Sequence, residues 1–315
     1  GNRFFVDKLG LIVNVNTDSF YRRADLLSGS YGEKIENDEV FIFPDYLNLK
    51  ENSLTRSRLG GSFIADYQIP EGKVVFNTIL NKLTNDGFSR GNELDYGSRR
   101  HKYSLNETYN ETQINAYGLS VEQDFGWLSY DVGVSFTQSD SESPNDYYSD
   151  FLEESAAVSS NKEDTLKPQD LPNLFYNNID QTALFTLSET WRKTEETEKG
   201  AYLNAKIPFQ VNDNLNGYFK FGGKIRILER SNDQNVQDVS AYYGGSRAFR
   251  EDIAAGLPGL NLDPAAARFY LTSFQGDYES PNFLSGDYPL GYSINPDLMK
   301  RINQIAKDGD HMAYD

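Results

Sequence analysis

The sequence predicts an all-β fold: part of an antiparallel transmembrane β-barrel, about seven strands, with long extracellular loops that carry short helices. Three observations predict it. Segments with strict two-residue alternation recur in pairs, very short polar turns join the members of each pair, and long acidic, aromatic-rich stretches separate the pairs. Tight turns at one end and long loops at the other mark an outer-membrane barrel. A soluble sandwich has no reason to sort its connections by length.

Taken in order, the expected strands are 5–16, 56–69, 73–82, 113–123, 127–137, 198–207 and 215–229, with outer loops at 17–55, 83–112, 138–197 and 230–315. Pro70-Glu71-Gly72 joins the second to the third, Asp124-Phe125-Gly126 the fourth to the fifth, and the loop around Asn212-Asp213-Asn214 the last two. Side chains along a strand point alternately to its two faces, so alternation makes one face apolar and the other wet. Leu128, Tyr130, Val132, Val134 and Phe136 alternate with Ser129, Asp131, Gly133, Ser135 and Thr137. Tyr117, Leu119 and Val121 do the same across the turn. In the last strand Leu215, Phe219, Phe221, Ile225 and Ile227 oppose Asn216, Tyr218, Lys220, Lys224 and Arg226. A half-buried soluble sheet would alternate too, but 215–229 is longer than the usual strand of about 5–6 residues. It exceeds the roughly 9–11 residues that a tilted membrane strand needs.

Composition narrows the classes. The chain has 315 residues, a formal charge of -17, no cysteine, and 21 Tyr and 20 Phe against 2 Met. A mean hydropathy of -0.62 and the lack of any apolar run near ~18 residues exclude a helical membrane protein but not a barrel, whose wet face dilutes the signal. Without cysteine there is no disulfide scaffold, Cys metal site or Cys nucleophile, and such a chain suits an oxidising periplasm. The acidic balance argues against a nucleic-acid partner. Neither a signal peptide at Gly1-Asn2-Arg3 nor a finished strand at His311-Met312-Ala313-Tyr314-Asp315 is visible, so the expectation is an internal piece of a larger barrel.

Arg56-Ser57-Arg58-Leu59-Gly60-Gly61-Ser62-Phe63, with the Pro70-Glu71-Gly72 hairpin behind it, resembles mid-barrel sequence of TonB-dependent outer-membrane receptors. So does Glu196-Thr197-Glu198-Lys199-Gly200-Ala201-Tyr202-Leu203-Asn204-Ala205-Lys206, where a strand starts after a long outer loop. Phe219-Lys220-Phe221-Gly222-Gly223-Lys224-Ile225-Arg226 is similar to the strand that follows a periplasmic turn in that family. The resemblance spans most of residues 1–230. It implies a plugged barrel of about 22 strands in the bacterial outer membrane, importing an iron chelate, a vitamin, an oligosaccharide or a peptide. The partners it implies are outer-membrane lipid, the inner-membrane TonB complex reached through a plug region outside this segment, a small-molecule or oligosaccharide ligand, and a surface lipoprotein.

Ligand contact is expected from loop aromatics, whose rings pair an apolar face with a polar tip: Tyr147, Tyr148, Tyr242, Tyr243, Tyr278 and Tyr288. Packing of the loops on one another is the competing reading of the same rings. Asp263-Pro264 reads as the start of a short helix over 265–271, and Asn295-Pro296 as the start of a longer one over 298–306, stopped by Gly309. Leu298, Ile302 and Ile305 share a face, so that helix docks, either as a lid on the barrel mouth or as a static ornament.

Signals for catalysis are weak, and no cofactor is called for. His101 and His311 read as solvated loop residues. Glu195, Glu196 and Glu198 imitate a glycosidase carboxylate pair but read better as a solvated charge run. Asp233-Gln234-Asn235-Val236-Gln237-Asp238 offers oxygen ligands for loose calcium binding without the glycine and closing Glu of an EF-hand. The alternatives to a transporter are a soluble or surface-exposed glycan-binding adhesin module and a polysaccharide-cleaving enzyme.

Overall fold

A computed structural model describes residues 2–4, 8–36, 38–159, 167, 170–212, 215–240 and 245–314. One antiparallel sheet dominates, its strands hydrogen-bonded in chain order. The strands are β1 (Asn2–Phe4), β2 (Leu9–Glu36), β3 (Glu39–Ile69), β4 (Gly72–Asp95), β5 (Arg100–Asp124), β6 (Ser129–Glu153), β7 (Ala183–Asn212), β8 (Leu215–Ser240) and β9 (Ala313–Tyr314). Among the described residues three α-helices accompany them: α1 (Leu171–Leu174), α2 (Arg247–Gly256) and α3 (Pro296–Asp308). The sheet is open. At one edge β1 covers only Leu9, Gly10 and Leu11 of β2, and at the other β9 covers only Gln237 and Asp238 of β8.

The strands are far longer than the alternating segments suggest. β3 runs for 31 residues and β4, the shortest of the long ones, for 24; at about 3.3 Å per residue even β4 is near 80 Å long. Stretches expected as outer loops are therefore strand. Residues 17–55 are mostly β2 and β3, joined by a tight turn at Asp38, whose φ is 63°. Residues 83–112 hold the ends of β4 and β5, joined at 96–99, where the backbone N–H of Ser98 bonds the Asp95 carboxylate at 2.7 Å. Genuine excursions remain only after β6 and after β8. The length asymmetry of the connections is thus weaker than the sequence implies, since two of the far-end connections are also tight.

At the near end the turns follow local chemistry. Ile69 pairs with Gly72 across Pro70-Glu71, a two-residue loop in which Glu71 takes φ 61°. In the next turn the Asp124 carboxylate accepts the N–H of Gly126 at 2.9 Å, and Gly126 sits at φ 81°, where a side chain would be strained. The connection 213–214 lies outside the described residues.

Registers fix the two faces. One face carries Leu11, Ala65, Phe76, Leu119, Val134, Ala201 and Ile225 in a single cross-strand row, and Val13, Phe63, Thr78, Tyr117, Phe136, Lys199 and Ile227 in the next. The opposite face carries Ile12, Ile64, Asn77, Gly118, Ser135, Gly200 and Arg226. The apolar row set is bare: Val13 is 70% exposed, Phe219 66% and Ile225 61%.

Further along the same strands, the same face is covered. Leu47, Leu49, Leu94, Tyr103, Leu105, Phe151, Leu187 and Val239 are buried there under the two excursions. One cluster joins the sheet to α2, α3 and residues 269–274, and the other to α1 and residues 283–290. The helix expected over 265–271 is instead a turn, followed by a 3₁₀ turn at Leu271–Ser273. α3 forms as expected: the Asn295 side chain caps the N–H groups of Asp297 and Leu298 at 3.0 and 3.1 Å, and Gly309 ends it. Met299, Ile302 and Ala306 bury its apolar face.

Candidate functional site

Three surfaces carry chemistry, and each follows from the alternation. The first is the bare belt. On β7 it runs through Ala201, Leu203, Ile207, Phe209 and Val211, and on β8 through Leu215, Phe219, Phe221, Ile225 and Ile227. On β8 that stretch, tilted about 40°, spans roughly 30 Å, close to the ~25 Å apolar band of an outer-membrane barrel. Nothing among the described residues covers it. Its near-end margin holds a stacked Phe125–Trp127 pair with ring centroids 6.5 Å apart.

The second is the joint between excursion and sheet, on the belt side. Glu51 on β3 is wholly buried. Its carboxylate accepts hydrogen bonds from the Tyr278 phenol and, at 2.6 Å, from the Ser280 hydroxyl, and it pairs with Arg23 at 2.7 Å. Arg90 lies over the Tyr278 ring, 3.9 Å from its centroid. Burial, then the bond to Glu51 and its charge, pushes the Tyr278 phenol up to about 12. Beside this joint, Tyr278, Tyr288, Tyr292, Asn177 and Ser293 surround a cleft of about 770 Å³. Tyr103 holds two of its lining residues, donating its hydroxyl to Asn177 at 2.7 Å and setting its ring edge-on to Tyr292.

The third is the polar face of the sheet. Its far half is a lattice of amides and hydroxyls. Asn110 donates to Ser141 and Ser143, each at 3.1 Å, Thr112 bonds both Asn110 and Ser141, and Thr194 bonds Asn232 at 2.7 Å. Nearer the short turns, Tyr202 donates to Asp131 at 2.9 Å, and Lys73 pairs with Glu122 at 3.1 Å, round a hollow of about 580 Å³.

The residues singled out in the sequence do not converge. Tyr278 and Tyr288 meet at the cleft. Tyr147 and Tyr148 are consecutive on β6, so they point to opposite faces. Tyr148 donates to Asp150 at 2.9 Å on the polar face, and burial together with that carboxylate pushes its phenol up. Burial raises the Tyr147 phenol as well. Tyr242 and Tyr243 lie outside the described residues.

Both histidines depart from the solvated reading. His101 is 2% exposed, bonds Asn92 at 2.9 Å and packs against Tyr103 and Phe175; burial lowers its pKa to about 4. His311 meets the Asp252 carboxylate at 2.7 Å, a carboxylate 59 positions away that sequence spacing does not reveal.

Glu195 and Glu196, as neighbours on β7, face opposite ways. Glu195 pairs with Lys193 at 2.6 Å, Glu196 with Arg230 at 3.9 Å, and Glu198 with Arg226. The segment 233–238 is strand rather than loop, so its oxygens are dealt to both faces and do not gather round one cation. Among the described residues no cluster of three His, Cys, Asp or Glu is arranged for a metal.

The sequence alone does not mark Glu51 or Asn110, because cross-strand register brings their neighbours and register is not local in sequence. No protein-family model matches the chain, and no curated protein matches it.

Proposed function

We propose that the chain forms wall and outer-surface structure of a TonB-dependent outer-membrane receptor that imports a scarce nutrient. The observation that carries this reading is the belt: a contiguous apolar face across β2–β8, bare at the short-turn end, backed by a polar face on the same strands. Soluble monomers rarely expose apolar patches beyond a few hundred Å², and lipid is the solvent that such a face suits. The polar face then lines the lumen, with its lattice along the path of the ligand. A sheet edge in lipid has to be paired, so further strands complete the barrel at β2 and β8. The excursions pack on the belt side, so α3 stands outside the wall above the bilayer instead of over the lumen as a lid. Energy coupling, through a plug and the inner-membrane TonB complex, belongs to the same proposal.

The test is partition. Mixed with phospholipid vesicles, the chain should float with them and resist carbonate extraction, and brominated lipid should quench the exposed Trp127. A monodisperse monomer in detergent-free buffer would overturn the reading. The Tyr278–Tyr288–Tyr292 cleft favours a second one, a glycan-binding surface module, which that outcome would bring forward.

A further inference from the structure

Two arginines stand side by side on the polar face of β3, and among the described residues neither has an ion-pair partner. Arg56 and Arg58 are two residues apart on one strand, so they share a face, and Arg22 of β2 lies on that face one row further out, opposite Leu54. The Nε atoms of Arg56 and Arg58 are buried without a hydrogen-bond partner. Buried donors are nearly always satisfied, and an unmet one is unfavourable.

The lack of a counter-charge is as telling. The chain carries a net charge of -17, and other arginines of the sheet have found carboxylates: Arg23 holds Asp25 and Glu51, Arg226 holds Glu198, and Arg230 reaches Glu196. Among the described residues Arg22, Arg56 and Arg58 form no ion pair. Asp18 stands opposite Arg58 in register and still makes none.

We propose that Arg56 and Arg58, flanked by Arg22, bind an oxyanionic group, a carboxylate or a phosphate, of a polyhydroxylated ligand. The guanidinium fork matches both groups in two-point geometry. The row beside Arg56 supplies the rest of the recognition: Asn85 lies opposite Arg56 and next to Asn110, which opens the hydroxyl lattice. The Oδ1 of Asn81, buried and unpartnered close by, is a free acceptor for a ligand hydroxyl. The ligand class is therefore an acidic sugar or sugar phosphate rather than a neutral oligosaccharide. This rests on the receptor reading only in treating the polar face as the ligand's path.

The test is calorimetric titration of the full chain with digalacturonate, glucose 1-phosphate and cellobiose, at low and high salt. One of the two anions should bind, more weakly at high salt, and the one that binds identifies carboxylate or phosphate. Cellobiose should not bind. Arg56→Gln with Arg58→Gln should weaken the anion about 10- to 100-fold, while Arg226→Gln, on the same face but already paired, should not. Arg56→Lys, which keeps the charge and loses the fork, gives an intermediate loss and serves if the double variant does not fold. Binding of neither anion, equal binding of cellobiose, or an unaffected double variant would overturn the proposal. Vesicle flotation of the same samples separates the two ideas. A chain that enters lipid but ignores both anions sinks this inference alone. One that stays in water and binds through Arg56 and Arg58 sinks the barrel alone.

Discussion

Glu51 accepts the phenol of Tyr278 across 227 positions of sequence, and its carboxylate is shut away from water. One buried acid thereby ties the last excursion to the third strand, with Arg23, Ser280 and Arg90 gathered round it. Removing Glu51 leaves the Tyr278 and Ser280 hydroxyls without their acceptor, at roughly 1–3 kcal/mol, while Arg23 keeps Asp25. Glu51→Ala should therefore loosen residues 276–290 while the strands stay intact. Limited proteolysis reads this directly: cleavage within the excursion accelerates at least tenfold. An unchanged cleavage rate would show the joint to be held by the apolar clusters alone.

The two faces of β6 make opposite predictions at adjacent positions. Val134 belongs to the bare belt and Ser135 to the polar face. In lipid, an arginine at the middle of the belt costs about 2–4 kcal/mol. Val134→Arg should lower the unfolding free energy read from urea titration in vesicles by that much, and Ser135→Arg by much less. If the pair behaves alike, the face does not meet lipid.

The belt was legible because alternation is local: Leu128 to Thr137 reveals both faces without any neighbour. The far halves of the strands were not. Stretches such as 83–112 carry Asn, Ser, Thr and Gly on one face and a mixture of charged and buried residues on the other, so period two fades even though the backbone stays extended. Residues Leu47, Leu49 and Leu94 look like scattered loop leucines until register sets Leu47 opposite Leu94 under Phe283. Burial of His101 was hidden for the same reason, since its cover comes from Phe175 and its hydrogen bond from the neighbouring strand. The α3 helix was legible because Asn295, Pro296 and Gly309 encode its ends within the segment itself.

That cap gives a prediction of its own. Asn295 satisfies two N–H groups at the start of α3, which presses Met299, Ile302 and Ala306 into the larger core. Asn295→Ala should cost about 1 kcal/mol. Hydrogen exchange should show it as roughly fivefold faster opening of the first turn of α3, with β5 and β6 unaffected. Equal exchange in the two proteins would mean that Pro296 and the packing fix the helix start unaided.

Acid should act on the excursions through His101. Burial holds its imidazole at about 4 in the folded chain, against an ordinary value near 6.5. Above pH 6.5 the ring is neutral in both states, and its packing against Tyr103 and Phe175 contributes in full. Between 6.5 and 4 the unfolded chain takes up a proton that the folded chain refuses, so stability falls as pH falls, by about 3 kcal/mol at most. Below 4 both states are protonated and the loss levels off. Glu153, opposite His101 in register, has its carboxyl pushed up by burial, which gives the contrary slope from its ordinary value upward. The two must be separated by substitution. His101→Gln can keep the bond to Asn92 but does not titrate. Denaturant midpoints at pH 7.5, 5.5 and 4.5 should fall more steeply for the native chain than for His101→Gln. Parallel profiles would mean that water reaches the ring and that its burial has no energetic consequence.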